Sequence, residues 1–196
     1  AANITCIRLL NDSGVGNATT IIQMLETIAN LVQAEKAENP DFQPHLIINM
    51  SMVVTPYDEQ LQCLGLDGEL LAAVRDGLQV AVQALASLDV IVVTAAGNDS
   101  DPRMGGMKCM EMMDGMRLGP RYPAAFADTI PQIIPVGAID GTGQAAPYSD
   151  YPGANGIATY GGGLLKRDTT DSQPGHTVAQ TPVDGLRGIY TATHYP

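Results

Sequence analysis

Two short apolar runs, residues 46–50 and 90–96, bracket a stretch in which Leu70, Val74, Leu78, Ala81, Val82 and Leu85 recur at helical spacing. Runs this short read as buried strands, and a helix-length connection between them calls for a parallel pair joined by a right-handed crossover. The pattern is expected once more upstream. Residues 4–10 form an apolar run that ends at the turn residues Asn11-Asp12-Ser13-Gly14. From Asn17, a cap candidate, Ile21, Leu25, Ile28 and Val32 form a second helical stripe, with Ile22 and Ala29 beside it, until Asn39-Pro40 stops the run. Asp67 is the cap expected for the other helix, and Gly77 beside its stripe leaves room for a neighbouring backbone. A fourth apolar run, 133–138, is expected to extend the sheet. The expected fold class is α/β, a parallel doubly wound sheet with flanking helices. Beyond Asp140 the chain turns to Gly, Pro, Thr and Asp, and irregular structure with short strands is expected as far as Pro196.

Composition narrows the function. With 196 residues and 45% hydrophobic content, the chain can bury the core of one domain without a disulfide or a metal. Lys and Arg number 10 against 21 Asp and Glu, a net charge of −11. Such a surface repels polyanions, so neither a nucleic-acid partner nor an anionic membrane is expected. No apolar run approaches the length of about 18 residues that a membrane-spanning helix needs, and no basic stretch leads into an apolar one as in a signal peptide. Residue 1 is Ala rather than Met, and a processed chain or a piece of a longer one is expected. The three cysteines, Cys6, Cys63 and Cys109, form no close pair and do not suggest a disulfide framework. Trp is absent and aromatics are only 5%, which excludes a stacking platform for bases.

In an open parallel sheet, ligands gather outside the carboxyl ends of the strands. Residues 11–17, 50–54 and 95–100 are expected there. In the first, Gly14-Val15-Gly16 begins a dinucleotide fingerprint, but Thr19 stands where its third small residue belongs and no carboxylate closes the second strand. A glycine-rich turn is the better reading. In the third, Ala95-Ala96-Gly97 leaves space along a wall, and the amide of Asn98 is a neutral donor suited to a developing oxyanion, although Asn after Gly is commonly a turn residue. In the second, Ser51 and Met52 continue a strand whose free edge could pair with an extended peptide. Residues 104–116 hold six of the nine methionines around Cys109, a soft donor set for Cu(I) or, more simply, flexible apolar packing. His45 opens a strand at the end away from these segments, and His176 and His194 sit in the irregular tail without an obvious serine, so no internal Ser-His-Asp triad is expected. No cofactor or metal is expected.

Taken together, several segments resemble the middle of the subtilisin-like serine proteases. Ile48-Asn49-Met50-Ser51-Met52 is similar to that family's Ile-Asn-Met-Ser-Leu-Gly strand, and Val92-Val93-Thr94-Ala95-Ala96-Gly97-Asn98 to its Val-Ala-Ala-Ala-Gly-Asn strand. Tyr122-Pro123-Ala124, Ile134-Pro135-Val136-Gly137-Ala138-Ile139-Asp140 and Tyr148-Ser149 resemble its Tyr-Pro-Ala, Val-Gly-Ala-Val-Asp and Phe-Ser segments, in the same order. Residues 4–16 are similar to the strand and turn that follow its histidine region. The resemblance covers residues 1–163 and leaves 164–196 as a tail, so the whole is expected to be a single, incomplete subtilase catalytic domain.

The resemblance implies peptide-bond hydrolysis through an acyl-enzyme, with a polypeptide as partner. It makes Asn98 the side-chain donor of the oxyanion hole. It makes Ser51, Met52 and Val53 the strand that pairs with substrate on the acyl side, and Ala95, Ala96 and Gly97 the wall of the pocket for the residue before the scissile bond. The family's Asp-Thr-Gly, His-Gly-Thr-His and Gly-Thr-Ser-Met-Ala segments do not occur in this sequence. The expectation is therefore a part of a serine endopeptidase that is inactive alone, lacks the N- and C-terminal parts of its own domain, and exposes apolar sheet surface as a result. The alternative is a non-catalytic pseudoprotease or peptide-binding module. Val53 and Val54 replace two glycines of the family's pocket strand and are expected to narrow or reshape the pocket. The Met-rich stretch falls where the family often lines that pocket, which suggests substrate contact, and the family's habit of secretion points outside the cell.

Overall fold

A computed structural model describes residues 3–12, 14–54, 68–100 and 119–161 of the chain. The elements run α1 (Ala18–Glu38), β1 (Ile47–Met50), α2 (Gly68–Ala86), β2 (Ile91–Ala95), a short 3-10 helix (Ala124–Asp128), β3 (Ile133–Ile139) and β4 (Ile157–Tyr160). The four strands form one sheet in the order β1-β2-β3-β4, and every pairing is parallel. The expected α/β class with a parallel sheet and flanking helices is what the chain adopts.

Local chemistry sets the helix ends. Asn17 has extended backbone, and its side chain accepts from the Thr19 N–H at 2.8 Å, relieving one of the unpaired donors of the first turn of α1. The helix stops at Asn39, whose N–H reaches Glu35 O at 2.8 Å, because Pro40 disfavours helical backbone in the residue before it. Of the expected stripe along α1, Ile21, Leu25 and Val32 are buried and Ile28 is half-buried, while Ala29 beside it is buried. On α2 it is buried at Leu78, Ala81, Val82 and Leu85, but Leu70 is 64% exposed because the first turn of that helix runs past the core. The expected cap Asp67 lies outside the described residues. A β-carbon on Gly77 would stand 3.4 Å from Ile22 Cδ1, so the small residue marks where α1 and α2 meet. The link from α2 to β2 is tight: Val90 N–H returns to Leu85 O at 3.1 Å and Asp89 takes a positive φ of 62°.

Register places Ile48, Val92 and Ile133 side by side, and Met50, Thr94 and Pro135 likewise. This face carries the core, where both helices and Phe126 of the 3-10 helix pack on Met50, Val90, Val92 and Ile133. Full burial of a Leu or Val contributes about 1.5–3 kcal/mol, so the completely buried Leu78, Leu85, Val82 and Val90 anchor the fold. The opposite face is more open. Ile47 and Ile91 pair there at 64% and 36% exposure, and Ile157 is 56% exposed. The runs expected to be buried strands thus alternate between a packed and an open face, because both described helices serve the same one.

One expected strand does not form. Residues 4–9 take no regular secondary structure and the run lies outside the sheet; residues 3–8 are exposed, Ile4 at 87%, and a single bridge joins Leu10 to Gly16. An apolar run becomes a strand only when another edge satisfies its backbone, and β1 does not pair with this segment. Pro135, by contrast, is tolerated inside β3. Val92 and Ala96 donate to Gln132 O and Val136 O, so Pro135 turns its nitrogen away from β2, and the ladder with β4 begins one residue later, at Val136.

Candidate functional site

The carboxyl ends of β1 and β2 bring two of the three expected segments together. Met50 is in register with Thr94, which sets Ser51 level with Ala95. Ile91 N–H donates to Leu46 O at 3.2 Å, so Leu46, Ile48 and Met50 direct their backbone groups toward β2, whereas Ile47, Asn49 and Ser51 direct theirs to the outer side. Among the described residues that outer side is paired with no strand. Ser51 is exposed, and its hydroxyl donates to Asn49 Oδ1 at 3.3 Å. Met52 and Val54 pack on the core, and Val54 N–H donates to Tyr122 O at 3.0 Å. The side chains of Met52 and Val54 are half-buried against the core. Val53 between them is half-buried.

The third expected segment, residues 11–17, does not follow a strand of the sheet, because the run before it is not one. Its glycines answer to the turn itself. Gly14 has φ 73°, and a β-carbon on Gly16 would stand 2.9 Å from Leu9 O. Backbone demand accounts for both positions without a phosphate.

At the end of β2 the chain is tied at nearly every residue. Ala96 is fully buried; its N–H donates to Val136 O at 3.0 Å and its carbonyl accepts from Arg121 N–H at 2.8 Å. Gly97 is buried with φ 127°, a region that side chains rarely enter, and its carbonyl accepts from Asp150 N–H at 3.0 Å. Asp150 is 1% exposed, and its Oδ1 accepts from Asp99 N–H at 3.0 Å and from the Ser100 hydroxyl at 2.8 Å. Arg121 Nη1 donates to Asp99 Oδ2 at 2.7 Å, with both side chains less than a fifth exposed. Ser100 N–H reaches Tyr148 O at 3.2 Å. Asn98 is the exception: it is exposed, and its amide makes no hydrogen bond among the described residues.

Two neighbouring groups titrate away from their usual ranges. Burial pushes the Tyr148 phenol up while its hydroxyl donates to Gly161 O at 2.7 Å. After β3, the Asp140 carboxyl is held below its ordinary value, chiefly by the Thr142 hydroxyl and then by the Thr142 N–H. Where β2 ends, Ala146–Ser149 takes over its role beside β3: Ala138 N–H donates to Ser149 Oγ at 2.8 Å and Ala146 N–H to Ala138 O at 2.9 Å.

Asp99, Ser100, Arg121 and Asp150 were not among the expected site residues. Asp150 follows Tyr148-Ser149 in a stretch expected to be irregular, and a carboxylate next to that segment was the available signal. His45 is exposed ahead of β1. Cys6 is exposed with a free thiol. Cys63, Cys109, the Met-rich stretch 104–116, His176, His194 and the tail 164–196 lie outside the described residues. Among the described residues no cluster of His, Cys, Asp and Glu could hold a metal ion, and no helix is long and apolar enough to cross a membrane.

No family model matches the sequence, and no curated protein matches it. Solved structures do resemble it. A lanthipeptide protease superposes with a TM-score of 0.50 at 19% identity over 81% of this chain. The epidermin leader peptide processing serine protease from Staphylococcus aureus gives 0.46 at 21% over 80%, and the nisin leader peptidase from Lactococcus lactis 0.43 at 21% over 75%. The chain spans 38% of the lanthipeptide protease and 33% of the epidermin one. At such identities the likeness is one of fold, which this chain shares with part of the lanthipeptide protease.

Proposed function

We propose that these residues form the oxyanion and acyl-side substrate-binding part of a serine-type endopeptidase. The observation that carries the reading is Asn98, an exposed amide without a hydrogen-bond partner among the described residues, on a turn fastened on both sides and beside the outer edge at Ser51, which no described strand pairs. An extended polypeptide would add to Ser51, Met52 and Val53 as a further strand, its backbone supplying the missing ladder. Ala95, Ala96 and Gly97 would wall the pocket for the side chain before the scissile bond. When the carbonyl carbon becomes tetrahedral, its oxygen gains charge, and the Asn98 Nδ2–H would donate to it more strongly than to the ground-state carbonyl.

The nucleophile, its base and the orienting carboxylate would come from the triad segments that this sequence does not contain, so the 196-residue chain alone hydrolyses no peptide. Peptide cleavage by the pure chain, abolished by a serine-acylating reagent, would overturn that division of labour. In the full-length protein that carries these residues, Asn98→Ala should lower kcat on the order of a hundred- to a thousandfold with KM little changed. An unchanged kcat sinks the oxyanion role. Peptide binding without any cleavage by the full-length protein would favour a binding module that uses the same strand edge.

A further inference from the structure

We infer that Asp150 is the positioning residue for Asn98, a buried carboxylate that fixes the backbone on both sides of the oxyanion donor; the inference rests on the reading of Asn98 proposed above. Asp150 N–H holds the carbonyl of the residue before Asn98, Gly97, at 3.0 Å. Its Oδ1 holds the N–H of the residue after it, Asp99, at 3.0 Å and the hydroxyl of Ser100 at 2.8 Å. One residue thus clamps the chain on either side of the donor from a position far along the sequence. Arg121 adds a second fastening, through its N–H to Ala96 O and its guanidinium to the Asp99 carboxylate.

The fit leaves no slack. Asp150 Oδ2 lies against the place a β-carbon on Gly97 would take, so the carboxylate occupies the space that glycine leaves open. Asn98 has no side-chain hydrogen bond of its own among the described residues, so the backbone that carries it sets where its β-carbon sits and from where its amide swings about χ1 and χ2. Reorienting that amide by backbone rotation requires torsion changes at Gly97, Asn98 or Asp99, and the Asp150 contacts oppose each of them. Oxyanion donors work because they are already in place when charge develops, and a displacement of about 1 Å is enough to cost on the order of a hundredfold in rate.

The test is a double-mutant cycle in the full-length protein, with kcat normalised to sites titrated by a serine-acylating reagent so that unfolded molecules do not count. Asp150→Ala should lower kcat on the order of ten- to a hundredfold with KM within about twofold, and should have no further effect in the Asn98→Ala background. Asp150→Asn keeps an acceptor oxygen for Asp99 and Ser100 and should stay within about threefold of the parent. If Asp150→Ala does not fold, Ser100→Ala, which removes the hydroxyl that donates to Oδ1, carries the same cycle with a loss of a few-fold. Losses that multiply in the double variant overturn the positioning role and leave the oxyanion reading standing. An Asn98→Ala protein as fast as its parent, or a parent that cleaves no peptide, overturns both.

Discussion

Two turns of this molecule follow apolar runs, contain a glycine at positive φ and carry an Asn, yet they are built in opposite ways. The turn at residues 11–16 closes on itself: Asn11 N–H donates to Val15 O at 2.9 Å, Val15 N–H to Asn11 Oδ1 at 3.0 Å and Gly14 N–H to Asn11 O at 3.0 Å. Even the ion pair beside it, Arg8 with Asp12, spans four residues of exposed chain. The turn at residues 97–100 is held by Asp150, Arg121 and Tyr148, the first of them some fifty residues away along the chain. The first run stays outside the sheet; the second is a strand within it. A turn closed by its own bonds ends a segment wherever that segment happens to lie, whereas a turn closed by distant residues exists only in the folded molecule.

Three substitutions sharpen this contrast. Gly97→Ala should do the most damage, about 3 kcal/mol of stability in denaturant unfolding, because the new methyl meets the buried Asp150 carboxylate and φ 127° strains it as well. A loss below about 1 kcal/mol would mean that the distant clamp yields easily. Thr94→Val comes next, with the opposite sign. The Thr94 hydroxyl is buried without a hydrogen-bond partner among the described residues, so the near-isosteric valine should raise stability by about 1 kcal/mol. A decrease would reveal a bond to that hydroxyl and blur the distinction between satisfied and stranded polar groups around β2. Gly14→Ala should change least. Nothing lies within 4 Å of the added methyl, so only backbone strain of about 1 kcal/mol is at stake, and it should appear as faster amide exchange at residues 11–16 with the global unfolding midpoint unmoved. A shifted midpoint would show that this turn is coupled to the core after all.

The same contrast separates what was legible in the sequence from what was not. Helical stripes, the Asn17 cap and the Asn39-Pro40 stop are written within a few residues, and each is where the spacing puts it, as are the strands at 46–50, 90–96 and 133–138. The open face was hidden, because an apolar run does not say how many of its faces will be covered. The fate of residues 4–10 was hidden for the same kind of reason, since apolarity does not name a pairing partner. At the site, Ser51 and Ala95 could be brought together from strand order alone. Asp150 could not, because its role is defined by three groups on another loop that no local pattern connects to it.

The outer edge of β1 has a further consequence, for how copies of this chain behave toward one another. Its N–H and C=O groups, which no strand among the described residues pairs, form a template for another edge, flanked by the exposed Ile47. What opposes that meeting is the net charge of −11 on each copy, a long-range repulsion whose reach is set by the electrolyte. The screening length falls from about 30 Å at 0.01 M salt to about 8 Å near 0.15 M. Light scattering from a dilute solution should therefore rise with added salt, and the dispersal of this chain is as much a property of its buffer as of its fold.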